Sequence, residues 1–243
     1  MSMPTPELHV VTGAFGFTGR YIARKLLAEG KRVRTLLSHP NRPDPFDGQV
    51  EAMPLNFDDP GALAQSLRGA AVLYMTYWIR FPFGGAHFEK VVENIQALLR
   101  AAKEAEVRRI LYISVSNPSL ESPLPYFRGK ALAEQAVIHS ELSYAIIRPT
   151  LIFGREDILI NNIAWLLRRF PVFAIPSSGD YRVQPVFVED VAEISVRAAE
   201  QREDIIVDAV GPEVYTFAEF VRLIAQEVGS RTRLVHVPPA LAL

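Results

Sequence analysis

A glycine-rich turn near the N-terminus constrains the fold of this chain more than any other feature. Gly13, Gly16 and Gly19 follow the β-rich run Leu8–Thr12 and lead into a segment of helical period, Phe17–Glu29. Gly13 allows a tight exit from the strand, and Gly16 has no Cβ, so a pyrophosphate group can approach the backbone there. Gly19 lets the helix pack close to the sheet, and the helix N-terminus offers free N–H groups to phosphates. The sequence therefore predicts a turn that binds a dinucleotide.

Apolar runs of strand length alternate with segments of helical period as far as Pro149. The predicted strands are Leu8–Thr12, Val33–Leu37, Val50–Leu55, Ala71–Met75, Arg109–Ser114 and Tyr144–Pro149, and the predicted helices are Phe17–Glu29, Pro60–Leu67, Ala86–Glu106 and Tyr126–His139. Such alternation favours a parallel sheet with right-handed crossovers and helices on both faces. We therefore predict an α/β protein, a doubly wound parallel-sheet Rossmann fold with a small C-terminal cap.

The alternation loosens after Pro149. The predicted helices there are Ile158–Arg169, Asp190–Glu200 and Phe217–Val228, and the predicted extended segments are Val172–Ile175, Val183–Val188, Ile205–Val210 and Arg233–Val237. We predict a single domain over residues 1–243, with a small cap built mainly from residues 151–185 and 205–243. The last residues, Val237–Leu243, look like the start of an apolar helix, so we expect more of the chain to follow them.

The composition argues against several classes of function. The formal net charge of −1 gives no electrostatic argument for binding nucleic acid or an anionic membrane surface. The chain has no cysteine, which excludes disulfides, thiolate metal sites and a cysteine nucleophile. Its five histidines show no metal-ligand spacing. We therefore expect neither a metal nor a nucleic-acid partner.

The apolar residues form neither a leader nor a membrane span. Met1–Glu7 has no basic patch followed by an apolar run, so we predict no signal peptide. The longest apolar stretches are strand-sized, which predicts no integral membrane segment. Together with the missing cysteines, this favours a cytoplasmic protein that acts on a small-molecule substrate, as either a monomer or a dimer.

Cofactor contacts can be assigned around the glycine turn. The predicted phosphate-binding residues are Gly13, Ala14, Phe15, Gly16, Phe17, Thr18 and Gly19. NAD binders commonly place an acidic residue at the end of the second strand, where it holds the ribose 2′-hydroxyl. Here Ser38 and His39 stand at that end without an acid, and with Arg42 and Arg20 they can surround a 2′-phosphate. We therefore predict NADP(H) as the preferred cofactor and NAD(H) as the alternative, unless these are exposed loop residues without a ligand.

The turns after the third and fourth strands face the same predicted cleft. Asn56 and Phe57 follow the third strand and are predicted adenine contacts, although Phe57 could instead pack in the core. Thr76, Tyr77 and Trp78 follow the fourth strand and are predicted to line the cleft near the ribose.

Five pieces of the sequence, in order along the chain, resemble the atypical short-chain dehydrogenase/reductase superfamily. They are Thr12–Gly19, Asn94, Tyr126–Lys130, Arg148–Thr150 and Val188–Val191. Within the superfamily, the segments Arg148–Asp157 and Gln184–Asp190 look most like NmrA-like proteins and the dehydrogenase-like accessory subunit of respiratory complex I. The resemblance runs from about Leu8 to Pro239.

The resemblance implies a catalytic tyrosine and lysine. Tyr126 and Lys130 match the superfamily's pair, which lies four residues apart on one helix face. There the lysine lowers the tyrosine pKa and holds the ribose, while the phenol exchanges a proton with the substrate oxygen. Val115 falls where a serine or threonine usually polarises the substrate, so Ser114 or Ser116 beside it is the candidate substitute.

Other residues near the nicotinamide follow from the same resemblance. Pro149, Thr150 and Ile152 are expected beside the ring, through backbone and methyl contacts. Glu134, one helical turn after Lys130, is expected either to pair with that lysine or to be solvated.

Three functions fit these observations. The first is an NADP-dependent oxidoreductase acting on a small apolar carbonyl or hydroxyl compound, since the predicted substrate face is aromatic: Tyr77, Trp78, Phe81, Phe83, Phe153 and Trp165. The second, which the resemblance implies, is an NADP(H)-binding redox sensor or assembly subunit without turnover. The third is an NADPH-quinone reductase.

Overall fold

A sheet of seven parallel strands is the largest element of the fold; six of its strands lie within the first 149 residues and the seventh spans residues 205–209. The computed structural model describes residues 6–39, 41–82 and 87–238. In chain order the strands are β1 (Leu8–Thr12), β2 (Arg32–Leu37), β3 (Val50–Pro54), β4 (Ala70–Met75), β5 (Arg109–Ile113), β6 (Ser143–Pro149), β7 (Leu151–Phe153), β8 (Val172–Pro176), β9 (Arg182–Val183), β10 (Pro185–Phe187), β11 (Ile205–Ala209), β12 (Tyr215–Thr216) and β13 (Arg233–Val237). The sheet has the order β11-β6-β5-β4-β1-β2-β3. Strands β2 and β3 thus lie on one side of β1, and β4, β5 and β6 follow on the other side, so the strand order switches between β1 and β4. Open α/β sheets bind ligands at such a switch point, beyond the carboxyl ends of the strands.

Helices alternate with these strands, as the sequence predicted. They are α1 (Phe17–Ala28), α2 (Pro60–Leu67), α3 (Phe88–Glu104), α4 (Pro125–Ile138), α5 (Ile158–Arg169), α6 (Val188–Glu200) and α7 (Phe217–Glu227). Local chemistry sets their ends. Asp59, for example, caps α2 by accepting a hydrogen bond from the Ala62 N–H at 3.0 Å, with Pro60 in the first helical position.

The central sheet packs against α2, α3 and α4 through an apolar core. Every residue of β1, β4 and β5 is buried, as expected for central parallel strands that are covered on both faces. On α3, Val91, Ile95, Leu98 and Leu99 recur at helical spacing and lie in this core. The predicted doubly wound Rossmann fold is therefore confirmed.

The chain divides into two units. The first contains the described residues within Met1–Pro149 and Glu189–Ala209, and the second those within Thr150–Val188 and Val210–Leu243. The second unit has its own core, which includes Ile163, Leu167, Phe173, Ile175, Phe220 and Val221 from α5, β8 and α7. Its strands form three pairs: β7 with β10, β8 with β13, and β9 with β12.

Some element boundaries differ from the prediction. Ile205–Ala209, predicted within the cap, pairs with β6 as an edge strand of the seven-stranded sheet. The predicted segment Val183–Val188 is divided, because β9 pairs antiparallel with β12 whereas β10 pairs parallel with β7. The predicted helix start at Ala86, Phe83 of the predicted substrate face and the last five residues of the chain lie outside the described residues. Across the parts of the chain that the structure describes, no helix is long and apolar enough to cross a bilayer.

Candidate functional site

The glycine turn adopts the geometry that its spacing predicts. Gly13 has a φ of 72°, and its N–H donates to the Leu36 carbonyl oxygen at 3.0 Å, which ties the end of β1 to β2. The Gly16 N–H donates back to the Gly13 carbonyl oxygen at 2.8 Å. A Cβ on Gly19 would lie 2.4 Å from that same oxygen. Any side chain at Gly19 would therefore push α1 away from the turn.

The start of α1 fits a phosphate group. Gly16 is the N-cap residue, and within the described residues no side chain caps the helix and its first turn has no acid. Gly16, Phe17 and Thr18 are half-buried, whereas Ala14 and Phe15 are buried. The N–H groups of the first turn and the positive end of the helix dipole can therefore act on an anion, and Ala14 and Phe15 can contribute only backbone atoms.

Two buried threonines brace this turn. Thr35 Oγ1 accepts from the Ala14 N–H at 2.9 Å and donates to the Val11 carbonyl oxygen at 3.0 Å. Thr12 Oγ1 accepts from the Thr76 N–H at 2.8 Å and from the N–H of the next residue at 3.0 Å. Sequence reasoning missed both roles, although a threonine directly after the apolar pair Val10 and Val11, at the carboxyl end of a strand, is a signal that could have drawn attention to Thr12.

The end of β2 is exposed and carries no acid. Ser38, His39 and Arg42 are all exposed; Ser38 Oγ lies 3.0 Å from His39 Nδ1, and the Arg42 N–H donates to the His39 carbonyl oxygen at 3.3 Å. On the turn itself, Arg20 Nη2 donates to the Phe15 carbonyl oxygen at 3.4 Å. The structure thus places Ser38, His39 and Arg42 together at the end of β2, where their side chains are accessible to an anionic ligand.

The predicted adenine and ribose contacts are connected through one tyrosine. Phe57 is half-buried against the core, and its ring centroid lies 5.1 Å from that of Tyr77. Asn94 Nδ2 on α3 donates to Tyr77 Oη at 2.9 Å. Asn56 is exposed and accepts from the Asp58 N–H, which shapes the turn after β3. Phe57 therefore packs on the core, and its contact with Tyr77 also places it beside the end of β4.

Lys130 is buried in the protein, with its ammonium group held by three partners. Its side chain is only 3% exposed, and Nζ donates to the Ile113 carbonyl oxygen at 2.8 Å. Nζ also lies 4.3 Å from the centre of the Trp78 ring and 5.0 Å from that of Tyr112. Burial lowers the pKa of Lys130 to about 7, and the charge of Glu134 partly opposes this shift. Lys130 can therefore gain or lose a proton near neutral pH.

The Trp78 ring covers the start of α4. A Cβ on Gly129 would lie 3.3 Å from Trp78 Cη2, so the absence of a side chain there admits the indole. Tyr126 packs edge-on against Trp78 and Phe88, with centroid distances of 6.0 and 5.8 Å. Burial raises the pKa of the Tyr126 hydroxyl, and the charge of Arg80 partly opposes it. Sequence reasoning placed Trp78 near the ribose and did not foresee its contact with Lys130; the glycine directly before the lysine was the available signal.

The two candidate serines have different surroundings. Ser114 is buried, and its Oγ makes no hydrogen bond within the described structure. Ser116 is half-buried, and its N–H donates to the Pro149 carbonyl oxygen at 2.9 Å. Of the two serines, Ser114 therefore has the buried hydroxyl whose hydrogen-bonding capacity is not used by the described residues.

Glu134 does not pair with Lys130, which corrects one expectation. It is 4% exposed, and its two carboxylate oxygens accept from Arg148 Nε at 3.0 Å and Nη2 at 2.6 Å. This bidentate pair joins α4 to β6. The sequence predicts either a pair with Lys130 or a solvated carboxylate at Glu134. Both predictions are wrong because helical spacing does not reveal a partner on another element.

The residues predicted to contact the nicotinamide belong to both units. Pro149 is buried at the end of β6 in the first unit. Thr150 and Ile152 belong to the second unit, where both are half-buried. The predicted substrate face is likewise divided, since Tyr77, Trp78 and Phe81 lie in the first unit and Phe153 and Trp165 in the second.

Comparison with known proteins agrees with this geometry. A family model described as NAD(P)H-binding matches residues 13–158, which include the glycine turn, Tyr126 and Lys130. The chain belongs to this NAD(P)H-binding family. Among solved structures, an epimerase from Methanothermobacter thermautotrophicus superposes with a TM-score of 0.82 at 18% identity, covering 96% of this chain and 80% of the other. MoeE5 in complex with UDP-glucose and NAD gives a TM-score of 0.79 at 21% identity, covering 95% and 85%. These likenesses show the fold.

Two curated relatives of this NAD(P)H-binding protein are similar in sequence. Ceramide reductase from Caulobacter vibrioides is 31% identical over 94% of this chain and 73% of its own length. The mitochondrial NADH dehydrogenase [ubiquinone] 1 alpha subcomplex subunit 9 from Mus musculus is 31% identical over 88% of this chain. The chain spans about three-fifths of the length of such NADH dehydrogenase subunits, 59% in the mouse protein. The predicted resemblance to the complex I accessory subunit is thereby confirmed, whereas the resemblance to NmrA-like proteins stays a prediction.

Proposed function

We propose that this protein binds NADP(H) on the Gly13–Gly19 turn and acts as an oxidoreductase on an apolar carbonyl or hydroxyl compound. The observation that carries the proposal is Lys130, a buried amine with a pKa of about 7, one helical turn after Tyr126. Bound nicotinamide would supply or accept the hydride. The Tyr126 hydroxyl would exchange a proton with the substrate oxygen, and protonated Lys130 would lower the tyrosine pKa. Ser114 Oγ would donate to the same substrate oxygen.

The cofactor choice depends on the end of β2. Ser38, His39 and Arg42 are exposed there and no acid accompanies them, which supports a 2′-phosphate over a bare ribose hydroxyl. Isothermal titration should therefore show tighter binding of NADPH than of NADH. Arg42→Gln should lower the NADPH affinity by about tenfold, the value of one charge-assisted hydrogen bond, and leave NADH unaffected. Equal affinities for the two cofactors in the unmodified protein would contradict the proposed preference.

An apolar substrate is supported by the first unit and by one relative. Tyr77, Trp78 and Ile79 form a half-buried apolar and aromatic segment after β4; of the cations beside it, Lys130 is buried against Trp78 and Arg80 is exposed. A nucleotide sugar, as in the MoeE5 complex, would instead require cations for its diphosphate. The relative named ceramide reductase supports a lipid-like substrate. We therefore propose long-chain ketones and alcohols as the first compounds to test.

The decisive experiment is Tyr126→Phe, assayed with NADPH and a panel of apolar ketones and quinones. If Tyr126 is the proton donor, kcat should fall at least about 100-fold while the NADPH dissociation constant stays within about twofold. Tyr144→Phe, a half-buried tyrosine on β6, is the matched control and should keep full activity. Turnover of a ketone that survives Tyr126→Phe would rule out this role for the tyrosine. Reduction of quinones alone would favour an NADPH-quinone reductase.

Two observations favour a second candidate, an NADP(H)-binding sensor or assembly subunit without turnover. Burial raises the pKa of Tyr126, and Lys130 already donates to the Ile113 carbonyl oxygen. Both features oppose proton transfer unless a ligand rearranges the site. NADPH binding without turnover of any compound in the panel would support this candidate.

A cytoplasmic location also stays a prediction, since several relatives are named as mitochondrial.

A further inference from the structure

The outward face of α5 carries large apolar side chains. Ile158 and Trp165 lie seven residues apart on one side of the helix, and they are 59% and 57% exposed. The opposite side, with Ile163 and Leu167, is buried in the core of the second unit. The core therefore does not need the outward residues, and large exposed apolar groups of this kind mark interaction surfaces.

The apolar surface continues beyond the helix. Phe170 follows α5, is 47% exposed, and packs against Trp165 with a centroid distance of 5.8 Å. Val172, at the start of β8, is 48% exposed. We define the α5 face by its exposed apolar residues Ile158, Leu159, Trp165, Leu166, Phe170 and Val172.

Four exposed arginines lie on or beside the segments that form this face, and the exposed Glu156 precedes it, two residues before Ile158. Arg168 and Arg169 are exposed in the last turn of α5, and Arg231 and Arg233 are exposed at β13, where Arg233 is the register partner of Val172. The chain contains 27 acidic residues, yet none lies between residues 158 and 176 or between 230 and 237. A chain with a net charge of −1 thus presents a locally cationic and apolar surface, which the overall charge conceals.

We propose that the α5 face binds an anionic lipid surface. Tryptophan prefers the interface between headgroups and acyl chains, where its apolar ring is buried and its N–H stays near water. Arginine side chains can lay their methylene groups along the apolar surface while the guanidinium reaches lipid phosphates. Each cationic residue near an anionic bilayer strengthens partitioning by roughly fivefold. The face therefore suits a peripheral, reversible attachment.

The same charges argue against a second copy as the occupant. A two-fold symmetric dimer through this face would bring the arginines of one copy against those of the other. Because residues 158–176 and 230–237 contain no acid to compensate them, their repulsion would oppose association. An anionic bilayer has the opposite charge and an apolar interior, so it satisfies both parts of the face.

Vesicle flotation tests the proposal. The full chain should float with vesicles of phosphatidylcholine mixed with phosphatidylglycerol, float far less with phosphatidylcholine alone, and detach as salt is raised. Arg168→Gln/Arg169→Gln should lower the partition coefficient by roughly 25-fold. The matched control is Arg100→Gln/Arg202→Gln, which removes two exposed arginines from the first unit and should have little effect.

Fluorescence on the unmodified protein gives a second, independent measurement. The chain has only two tryptophans, so brominated lipids should quench its emission, and this quenching should disappear in Trp165→Phe. Failure to float with anionic vesicles, or equal loss in the control arginine variant, would overturn the proposal. A concentration-dependent dimer in sedimentation velocity that Trp165→Ser abolishes would assign the face to a second copy instead.

Discussion

The glycine turn and the Tyr126–Lys130 region differ in how each holds its functional groups. In the turn, Gly16, Phe17 and Thr18 are half-buried, and no side chain in the described part of the chain caps the N-terminus of α1. In the other region, Lys130 is buried and already bonded to the Ile113 carbonyl oxygen. The turn thus presents free backbone groups to a ligand, whereas in the proposed mechanism the tyrosine and lysine would have to exchange protein contacts for ligand contacts.

The difference has a physical origin. The turn uses backbone N–H groups, whose positions follow from the glycine conformations and from the bonds of Thr12 and Thr35. Lys130 instead uses a long side chain, whose position depends on neighbours from β4 and β5. The turn is therefore held by its own glycines and by two threonine hydrogen bonds to neighbouring strands, whereas the position of the lysine side chain depends entirely on tertiary packing.

The largest expected effect is on NADPH binding by the glycine turn. In Gly19→Ala, the new Cβ would lie 2.4 Å from the Gly13 carbonyl oxygen, so the turn must shift away from α1. We expect NADPH affinity to fall by at least about 100-fold, since close backbone approach to the phosphates is lost, and the free energy of unfolding to fall by about 2 kcal/mol from overpacking. Titration calorimetry and urea unfolding measure the two effects.

A glycine without such a contact is the control. At Gly61 in α2, a Cβ would lie 3.5 Å from Asp59 Oδ1, an ordinary distance. Gly61→Ala should leave NADPH binding unchanged and stabilise the protein by about 0.5–1 kcal/mol, because alanine favours the helix. Normal binding by Gly19→Ala would show that the turn tolerates the side chain and that the close packing is not required.

These regions also differ in how far the sequence predicts them. The strand-turn-helix pattern around Gly13 predicts the fold and the turn geometry, because buried parallel strands and close backbone approaches have sequence signatures of their own. The spacing of Tyr126 and Lys130 predicts a shared helix face. It cannot predict that Trp78 covers the lysine or that Glu134 binds Arg148, since these partners lie 52 and 14 residues away along the chain.

A second prediction tests the buried state of Lys130. Its pKa is about 7 in the folded protein and 10.5 in the unfolded chain, so the unfolded chain binds more protons between these values. The stability of the unmodified protein should therefore rise with pH in this window, by about 2 kcal/mol from pH 7 to pH 9. Below about pH 7, the full cost of burying the charge is present.

Lys130→Met removes this contribution and keeps a long apolar side chain in the same space. The difference in unfolding free energy between the variant and the unmodified protein, measured in urea at both pH values, isolates the lysine because all other groups titrate alike. It should favour the variant at pH 7 and shrink at pH 9. A difference that does not change with pH would mean that the lysine reaches solvent and is not held in the protein as described.

The smallest effect concerns the bracing of the turn, where Thr35→Val is nearly isosteric. Valine suits the strand but offers no oxygen, so the Ala14 N–H loses its acceptor in a buried place. We expect the free energy of unfolding to fall by about 1–2 kcal/mol and the NADPH affinity to fall about fivefold. Ser66→Ala removes another buried hydroxyl, which only donates to the Ala62 carbonyl oxygen within α2, and should change neither quantity measurably. If Thr35→Val destabilises the fold but binds NADPH normally, the glycines alone hold the turn, and its readiness for a ligand does not depend on the neighbouring strand.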